Sequence, residues 1–422
     1  MLSRFQPTFS QRNSFLRSIY SALFSLCSWR YLFIPIWTLL AVVVTHYQLK
    51  VNLINNFLIF RGTYVHALNG VNLYDFDPSC CQDTNHYGPI FSLIMAPLSF
   101  VGVQTASYIF QIANALLVWY AIDKLPLNQL KKNAICLICT QELNMTLQTY
   151  QTNGAIAAFI ILGWVCIVNR KDFWGVFWMM TGFFIKLYSI VGLVFFFISS
   201  KKKMFIYALV PASVILFILP MVIFKPAFIT QSYIDWVHSL QHKNEINLLA
   251  STTYQDVSVM GMVKRIFKTE NLPLLPFLLP AAVIFMLPIL RKNSLSSMEA
   301  KFSLLASALI FPVLFSTGSE TVTYIIAYAG IGIWFVTRQM PYTAWQIILM
   351  VIAIYLGSLF ETDLCPHYIK KHYMIPYALK ALPTLMVWLT IIYELVFPVK
   401  RTEQTTSNDT NKIHPLTQPA LV

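Results

Sequence analysis

The chain has 422 residues, of which 57% are hydrophobic and only 11% are charged, and its formal net charge is +13. Apolar runs long enough to cross a hydrocarbon layer recur almost from end to end, which is typical of a polytopic helical membrane protein and leaves no soluble stretch long enough for a domain. The alternating runs of roughly ten residues that mark an outer-membrane barrel are absent. Because lysines and arginines cluster beside the apolar spans, the positive charge orients the chain in its membrane, and no nucleic-acid partner is expected.

The apolar runs predict an all-α bundle of about 12 transmembrane helices, with both termini inside. Residues 1–30 carry arginines and no acid, so we predict a cytoplasmic amphipathic segment there. The membrane domain covers residues 31–398, and its first span runs from 31 to 47. Residues 399–422 are polar and predict a disordered cytoplasmic tail.

The large first outer loop, residues 48–88, carries Asp75, Asp77 and Asp83. Residues 57–68 have apolar side chains at helical spacing, which predicts a helix lying along the outer face. The loop finishes on the sequence HYGP, where the next apolar run begins. We expect this loop to hold one side of a catalytic site.

Three later stretches differ from simple spans. Residues 89–122 are too long for one ordinary helix and are interrupted at Pro97 and Gly102, which predicts one net crossing with a bend. Residues 173–199 predict two short helices that meet near Lys186 and place it toward the outer face. Residues 225–272 predict a second large outer loop. The other spans are predicted at 134–147, 155–168, 205–224, 273–290, 302–316, 321–337, 343–358 and 376–397.

Polar residues interrupt two of the spans, although a central charge costs roughly 2.5–3.5 kcal/mol on insertion scales. In one of them the polar residue is Lys186, in the sequence FFIKLYS. In the other, a polar group includes a stripe on one helix face: Gln141, Glu142, Asn144, Gln148, Gln151 and Asn153. Helix–helix hydrogen bonds and snorkelling to the headgroups are the structural explanations. The functional explanation is a cavity for an anionic lipid headgroup, with Lys186 as its charge partner.

Several segments, taken in order, resemble the membrane glycosyltransferases of family 87, in the GT-C superfamily. They read NNFLIFRGTYVHALNGVNLYD, HYGPIFSLIMAPLSF, QTYQTNGAIAAFIILG, GFFIKLYSIVGLVFF, FSTGSETVTYIIAYAGIGIWF and ETDLCPHYIKKHYMIPYALKALPTLMVW. The similarity covers most of residues 30–398. It implies a GT-C-like fold and inverting transfer of a hexose, mannose above all, from a polyprenyl-phosphate donor. The acceptor would be a lipid- or glycan-linked hydroxyl on the outer face of the cytoplasmic membrane.

This chemistry needs a base for the acceptor hydroxyl and a cation for the departing lipid phosphate. No phosphate-cradling glycine loop occurs, as expected for a lipid-linked donor. We expect no cofactor and no metal. Cys136 and Cys139 have the CxxC spacing of metal ligands, but they lie within an apolar span and have no second pair nearby. Cys80, Cys81 and Cys365 fall in predicted outer loops, where a disulfide between two loops would be feasible.

The identity of the base is open. In the mycobacterial relatives an aspartate at the start of the first outer loop serves as base, whereas this chain has Asn55 and Asn56 at the matching place. An amide binds a hydroxyl but does not take its proton at neutral pH. We predict Asp83 and Glu320 as catalytic residues together with Asn56, and Glu142 is a third acid to consider. Asp75 and Asp77 are more typical of a solvated turn.

The remaining predicted residues would bind the substrates: Asn55, Arg61, His86, Tyr87, Glu142, Gln148, Gln151, Asn153 and Lys186. Arg61 would hold phosphate with two nitrogens or anchor the loop helix to headgroups. His86 would act as base or as a phosphate contact. The expected partners are a polyprenyl-phosphate-linked sugar, a glycan or lipid acceptor, and membrane lipids.

Two alternatives to an enzyme remain. A flippase or transporter of lipid-linked saccharide would also need a polar, cationic cavity, but the acid-bearing first loop and the lack of internal repeats favour the enzyme. A non-catalytic subunit would account for the two asparagines at the aspartate position.

Overall fold

The computed structural model describes residues 25–78, 81–249, 255–269, 272–291 and 294–397, and within these ranges the chain is helical and has no strand. Most of the predicted N-terminal segment and all of the predicted tail lie outside the described residues. The all-helical prediction is confirmed for the part of the chain that the structure describes.

The helices of the first half follow the predicted spans closely. They are α1 Phe33–Lys50, α2 Asn55–Asn69, α3 Ile90–Ser99, α4 Val103–Asp123, α5 Gln129–Gln148, α6 Asn153–Val168 and α7 Asp172–Ile185, followed by a 3₁₀ helix Leu187–Ile198. Helix α2 is the helix predicted within the first loop, and it ends at Gly70, whose φ of 67° suits a residue without a β-carbon. The bend predicted within 89–122 is the break between α3 and α4.

The second half contains shorter and more varied helices. They are α8 Lys202–Ile218, α9 Pro226–Leu249, α10 Val259–Phe267, α11 Leu275–Leu290, α12 Met298–Leu314, α13 Tyr324–Thr337, α14 Ala344–Ile352 and α15 Ala381–Val396. Side chains cap several of them: Ser258 accepts from the Gly261 amide at the start of α10, and Ser297 accepts from the Ala300 amide at the start of α12. The predicted second outer loop is largely helical, because α9 and α10 occupy most of its described part.

Helices α6, α12 and α13 form the centre of the bundle. Most residues of these three helices are buried and apolar, as expected for helices enclosed by others. Helices α12 and α13 approach closely at Gly330, where a β-carbon would lie 2.7 Å from the Ala306 carbonyl oxygen.

Four helical segments of the described chain are long and apolar enough to cross a membrane: Phe33–Lys50, Val103–Asp123, Lys202–Val222 and Ala344–Glu361. Seven further apolar helices have 10–17 residues. Helical spans of this kind are expected of a multi-pass membrane protein. The count of about 12 spans stays a prediction.

Arg61 fixes the first loop to the break between α3 and α4. Its guanidinium donates to three backbone carbonyls at 3.0–3.3 Å, those of Leu98, Ser99 and Val101. These carbonyls are left free by the end of α3, so the arginine satisfies them and holds α2 against the break. This supports an anchoring role for Arg61 through protein contacts, and the phosphate-binding role predicted for it gains no support.

Candidate active site

Lys186 lies at the junction of two helices, as the sequence predicts. Helix α7 ends at Ile185, Lys186 is extended with φ −152° and ψ 128°, and the 3₁₀ helix follows at once. Its Nζ donates to Asn153 Oδ1 at 2.8 Å and lies 5.8 and 5.1 Å from the ring centres of Tyr87 and Tyr188. An amide oxygen and two aromatic faces therefore stabilise this ammonium group.

The end of the first loop packs against the same junction. The Gly88 amide donates to the Ile185 carbonyl at 3.1 Å, and a β-carbon at Gly88 would lie 2.0 Å from the Phe184 carbonyl oxygen. Only glycine allows this approach. It places Tyr87 beside Lys186, and the Tyr87 hydroxyl donates to Gln151 Oε1 at 3.1 Å.

Glu320 is brought to this group through Asn153. The Asn153 Nδ2 donates to the Val322 carbonyl at 3.1 Å, while its Oδ1 accepts from Lys186. Thr146 donates to the same carbonyl at 2.8 Å, which holds the short 3₁₀ helix 321–323 against α5 and α6. The fully buried Asn153 thus links the lysine to the segment that begins at Glu320.

Glu320 is a half-buried residue, and the burial of its carboxyl raises the pKa of that group above the ordinary value. The positive charges of Lys186 and Lys243 oppose this rise, whereas the negative charge of Asp83 adds to it. Glu320 is therefore a carboxylate of raised basicity within the electrostatic reach of two lysines.

His86 presents an unbonded ring nitrogen. The Ser239 hydroxyl donates its one hydrogen to the Asn85 carbonyl at 3.3 Å. Its contact with His86 Nδ1 at 3.0 Å is therefore one in which the hydroxyl accepts from the imidazole N–H. Among the described residues, the buried His86 Nε2 has no hydrogen-bond partner. Burial first, and then the charge of Lys243, lower the pKa of His86 to about 4. At neutral pH the imidazole is uncharged, and its Nε2 carries a free lone pair.

The three aspartates of the first loop have different surroundings. Asp83 is exposed, accepts from the Thr84 amide at 2.8 Å, and exerts its charge on both His86 and Glu320. Asp75 is exposed, and Asp77 lies 3.5 Å from His66 Nε2. Of these acids, Asp83 is the one whose charge acts on Glu320 and His86.

The two asparagines at the start of α2 hold the loop in place. Asn55 Oδ1 accepts from the Gln82 amide at 2.7 Å, and Asn56 Nδ2 donates to the Thr149 carbonyl at 2.8 Å. Cys81 is disulfide-bonded, whereas Cys365 is a free thiol. Cys365 therefore takes no part in a disulfide between loops, and Cys80 lies outside the described residues.

Glu142 has a partner that sequence reasoning missed. Its carboxylate accepts from Lys380 Nζ at 2.9 Å, both side chains are at most 1% exposed, and Lys380 also lies 3.5 Å from Glu361. This supports a structural role for Glu142. The available sequence signal was a lysine just before the last span and one acid inside another span, but nothing local pairs them.

The polar residues of α5 and α6 thus separate into groups. Asn153 contacts Lys186, and Gln151 contacts Tyr87. Glu142 contacts Lys380, and Gln148 is exposed. Only part of the predicted polar group faces the predicted cation.

Residues 85–317 match the family model for glycosyltransferase family 87, which is more than half of the chain. The chain belongs to glycosyltransferase family 87. The resemblance seen in the sequence is confirmed, and this family 87 protein is a glycosyltransferase that acts on a sugar donor and an acceptor. The matched region includes His86, Tyr87, Asn153 and Lys186, and it ends shortly before Glu320. No curated protein and no solved structure matches this family 87 chain.

Proposed function

We propose that this chain transfers a sugar from a polyprenyl-phosphate donor to an acceptor hydroxyl, with inversion, at a site formed by Lys186 and Glu320. The observation that carries the proposal is Asn153, which bonds the Lys186 ammonium on one side and the segment beginning at Glu320 on the other. A cation for a leaving phosphate and a carboxylate for an incoming hydroxyl are the two groups that the reaction requires.

Lys186 would hold the phosphate that leaves. Its ammonium has three N–H donors, of which one is used by Asn153, so others can reach phosphate oxygens. The rings of Tyr87 and Tyr188 reduce the water around it, which strengthens its attraction for a phosphate. By analogy with single oxyanion-stabilising donors, its loss would slow transfer roughly 10²- to 10³-fold.

Glu320 would take the proton. As the acceptor oxygen forms a bond to the anomeric carbon, the bond from that carbon to the phosphate oxygen breaks, and the hydroxyl proton passes to the Glu320 carboxylate. The phosphate leaves as an anion beside Lys186. His86 Nε2, with its free lone pair, is a further acceptor for a hydroxyl hydrogen bond, and Asp83 raises the basicity of both groups.

The family resemblance supports a proposal for the donor sugar, the acceptor and the location. We propose that the transferred sugar is a hexose, with mannose as the first candidate, and that the acceptor is linked to a lipid or a glycan. The reaction would take place on the outer face of the cytoplasmic membrane. A GT-C-like fold with about 12 spans belongs to the same proposal.

The test uses the full chain in lipid nanodiscs, with labelled polyprenyl-phosphate-mannose and a membrane extract from the source cell as acceptor. We expect release of polyprenyl phosphate and a product whose anomeric configuration is opposite to that of the donor. Glu320→Gln should slow this release strongly, whereas Asp75→Asn, at an exposed acid of the first loop, should not. Retention of configuration would refute the mechanism. Movement of lipid-linked sugar across liposomes without any transfer would favour a flippase.

A further inference from the structure

A cavity of about 170 Å³ lies beside the segment that carries Glu320, and Thr321 is part of its lining. Its other walls come from Val257, just before α10, from Arg265 within α10, and from the connection between α14 and α15. This connection contains two π-helical turns, Ala353–Ser358 and Lys370–Met374. Such turns are rare and recur at functional sites. The second turn supplies both Lys370 and Met374 to the lining.

The lining carries more positive than negative charge. Arg265, Lys370 and Lys380 contribute cations, and Glu361 contributes the acid. Lys380 is already neutralised by Glu142 and Glu361 at 2.9 and 3.5 Å. Lys370 Nζ donates to the uncharged Glu361 carbonyl at 2.7 Å, which leaves two of its N–H donors for a ligand. The cavity therefore suits an anion.

The cavity also has an apolar side, formed by residues that include Phe360, Met374 and Ile375. Close by in the sequence, Tyr368 and Tyr373 are exposed large side chains. Tyrosine is enriched at the headgroup level of membranes, so these side chains favour that level for the residues around the cavity. An anionic group next to an apolar wall at this level matches the phosphate of a lipid together with the first carbons of its chains.

We propose that this cavity binds the phosphate group of an anionic membrane lipid, with Lys370 as the main contact and the Phe360 side receiving the chain. The bound lipid would lie next to the Glu320 segment without occupying the place of Lys186. The proposal concerns binding alone, so it stands or falls independently of the proposed sugar transfer.

Native mass spectrometry of the full chain, titrated with phosphatidylglycerol or with inorganic phosphate, tests the proposal. Lys370→Ala should bind phosphatidylglycerol about ten- to hundredfold more weakly, the usual effect of losing one charge-assisted hydrogen bond, and Lys370→Arg should restore binding. The matched control is Lys371→Ala, because Lys371 is the adjacent, exposed lysine and does not line the cavity.

Equal affinity of phosphatidylglycerol for the Lys370→Ala and Lys371→Ala proteins would overturn the proposal. Binding of inorganic phosphate that depends on Lys370, without such binding of the lipid, would also overturn it, since the site would then take free phosphate. Lys370 is only partly buried, so the variant should fold. If Lys370→Ala unfolds at a lower temperature than Lys371→Ala, Lys370→Gln provides the same comparison while retaining a long side chain.

Discussion

Replacing Gly88 by alanine should disable the site, because Gly88 packs against Phe184, two residues before Lys186. The new β-carbon would lie 2.0 Å from the Phe184 carbonyl oxygen and 3.1 Å from the Trp236 ring. Carbon and oxygen normally approach to about 3.3 Å, so the loop and the end of α7 would have to separate by about 1.3 Å. The Gly88 amide bonds to the Ile185 carbonyl, so this movement would disturb the residue before Lys186.

Two effects of different size are expected from this change. Overpacking of this kind costs about 1–3 kcal/mol of stability. A displacement of about 1 Å at a reacting group can slow a reaction about a hundredfold. Activity should therefore fall by about two orders of magnitude while most of the protein remains folded.

The assay is sugar transfer by purified Gly88→Ala protein in nanodiscs, with thermal unfolding measured on the same sample. Gly62→Ala is the matched control, because no atom lies within 4 Å of a β-carbon at this position in α2. That variant should keep its activity and gain up to about 1 kcal/mol of stability. Equal activity and stability of the two variants would refute the close packing of the loop on α7.

Three further predictions concern single groups. Lys380→Met should destabilise the protein by about 3–5 kcal/mol, measured by denaturant unfolding, because it removes the closest cation from the buried Glu142. The double variant that also carries Glu142→Gln should recover much of this lost stability. As the pH falls through the raised pKa of Glu320, its carboxylate takes up a proton and transfer should slow. This acid limb should lie above the ordinary range of a glutamate carboxyl and be absent in Glu320→Gln. Tyr87→Phe should lower kcat/KM about three- to tenfold, the usual value of one neutral hydrogen bond, here that to Gln151; an unchanged value would remove Tyr87 from the site.

Much of the architecture around Lys186 follows from the sequence. Basic residues lie on both sides of residues 173–199, which favours a return of the chain to the same face. The stretch is also too long for one ordinary span and too short for two full spans. The break at Lys186 is the physical consequence. The helix in the first loop could be predicted for a similar reason, since its apolar residues recur at helical spacing.

Contacts between distant parts of the chain could not be predicted in this way. Lys380 and Glu142 are separated by 238 positions, and His86 and Ser239 by 153. Hydropathy and charge place spans and turns, but they do not say which helices are neighbours. Helices α9 and α10 were missed because a polar helix lacks the long apolar run by which spans are recognised.

The central claim is that Lys186 stabilises the lipid phosphate that leaves as the sugar is transferred. The most direct measurement is single-turnover release of polyprenyl phosphate from labelled polyprenyl-phosphate-mannose by the wild-type, Lys186→Ala, Lys186→Arg and Lys203→Ala proteins, the last at an exposed lysine outside the site. We predict a loss of roughly 10²- to 10³-fold for Lys186→Ala, partial recovery for Lys186→Arg and wild-type release for Lys203→Ala. Release by folded Lys186→Ala protein at the wild-type rate would contradict the account.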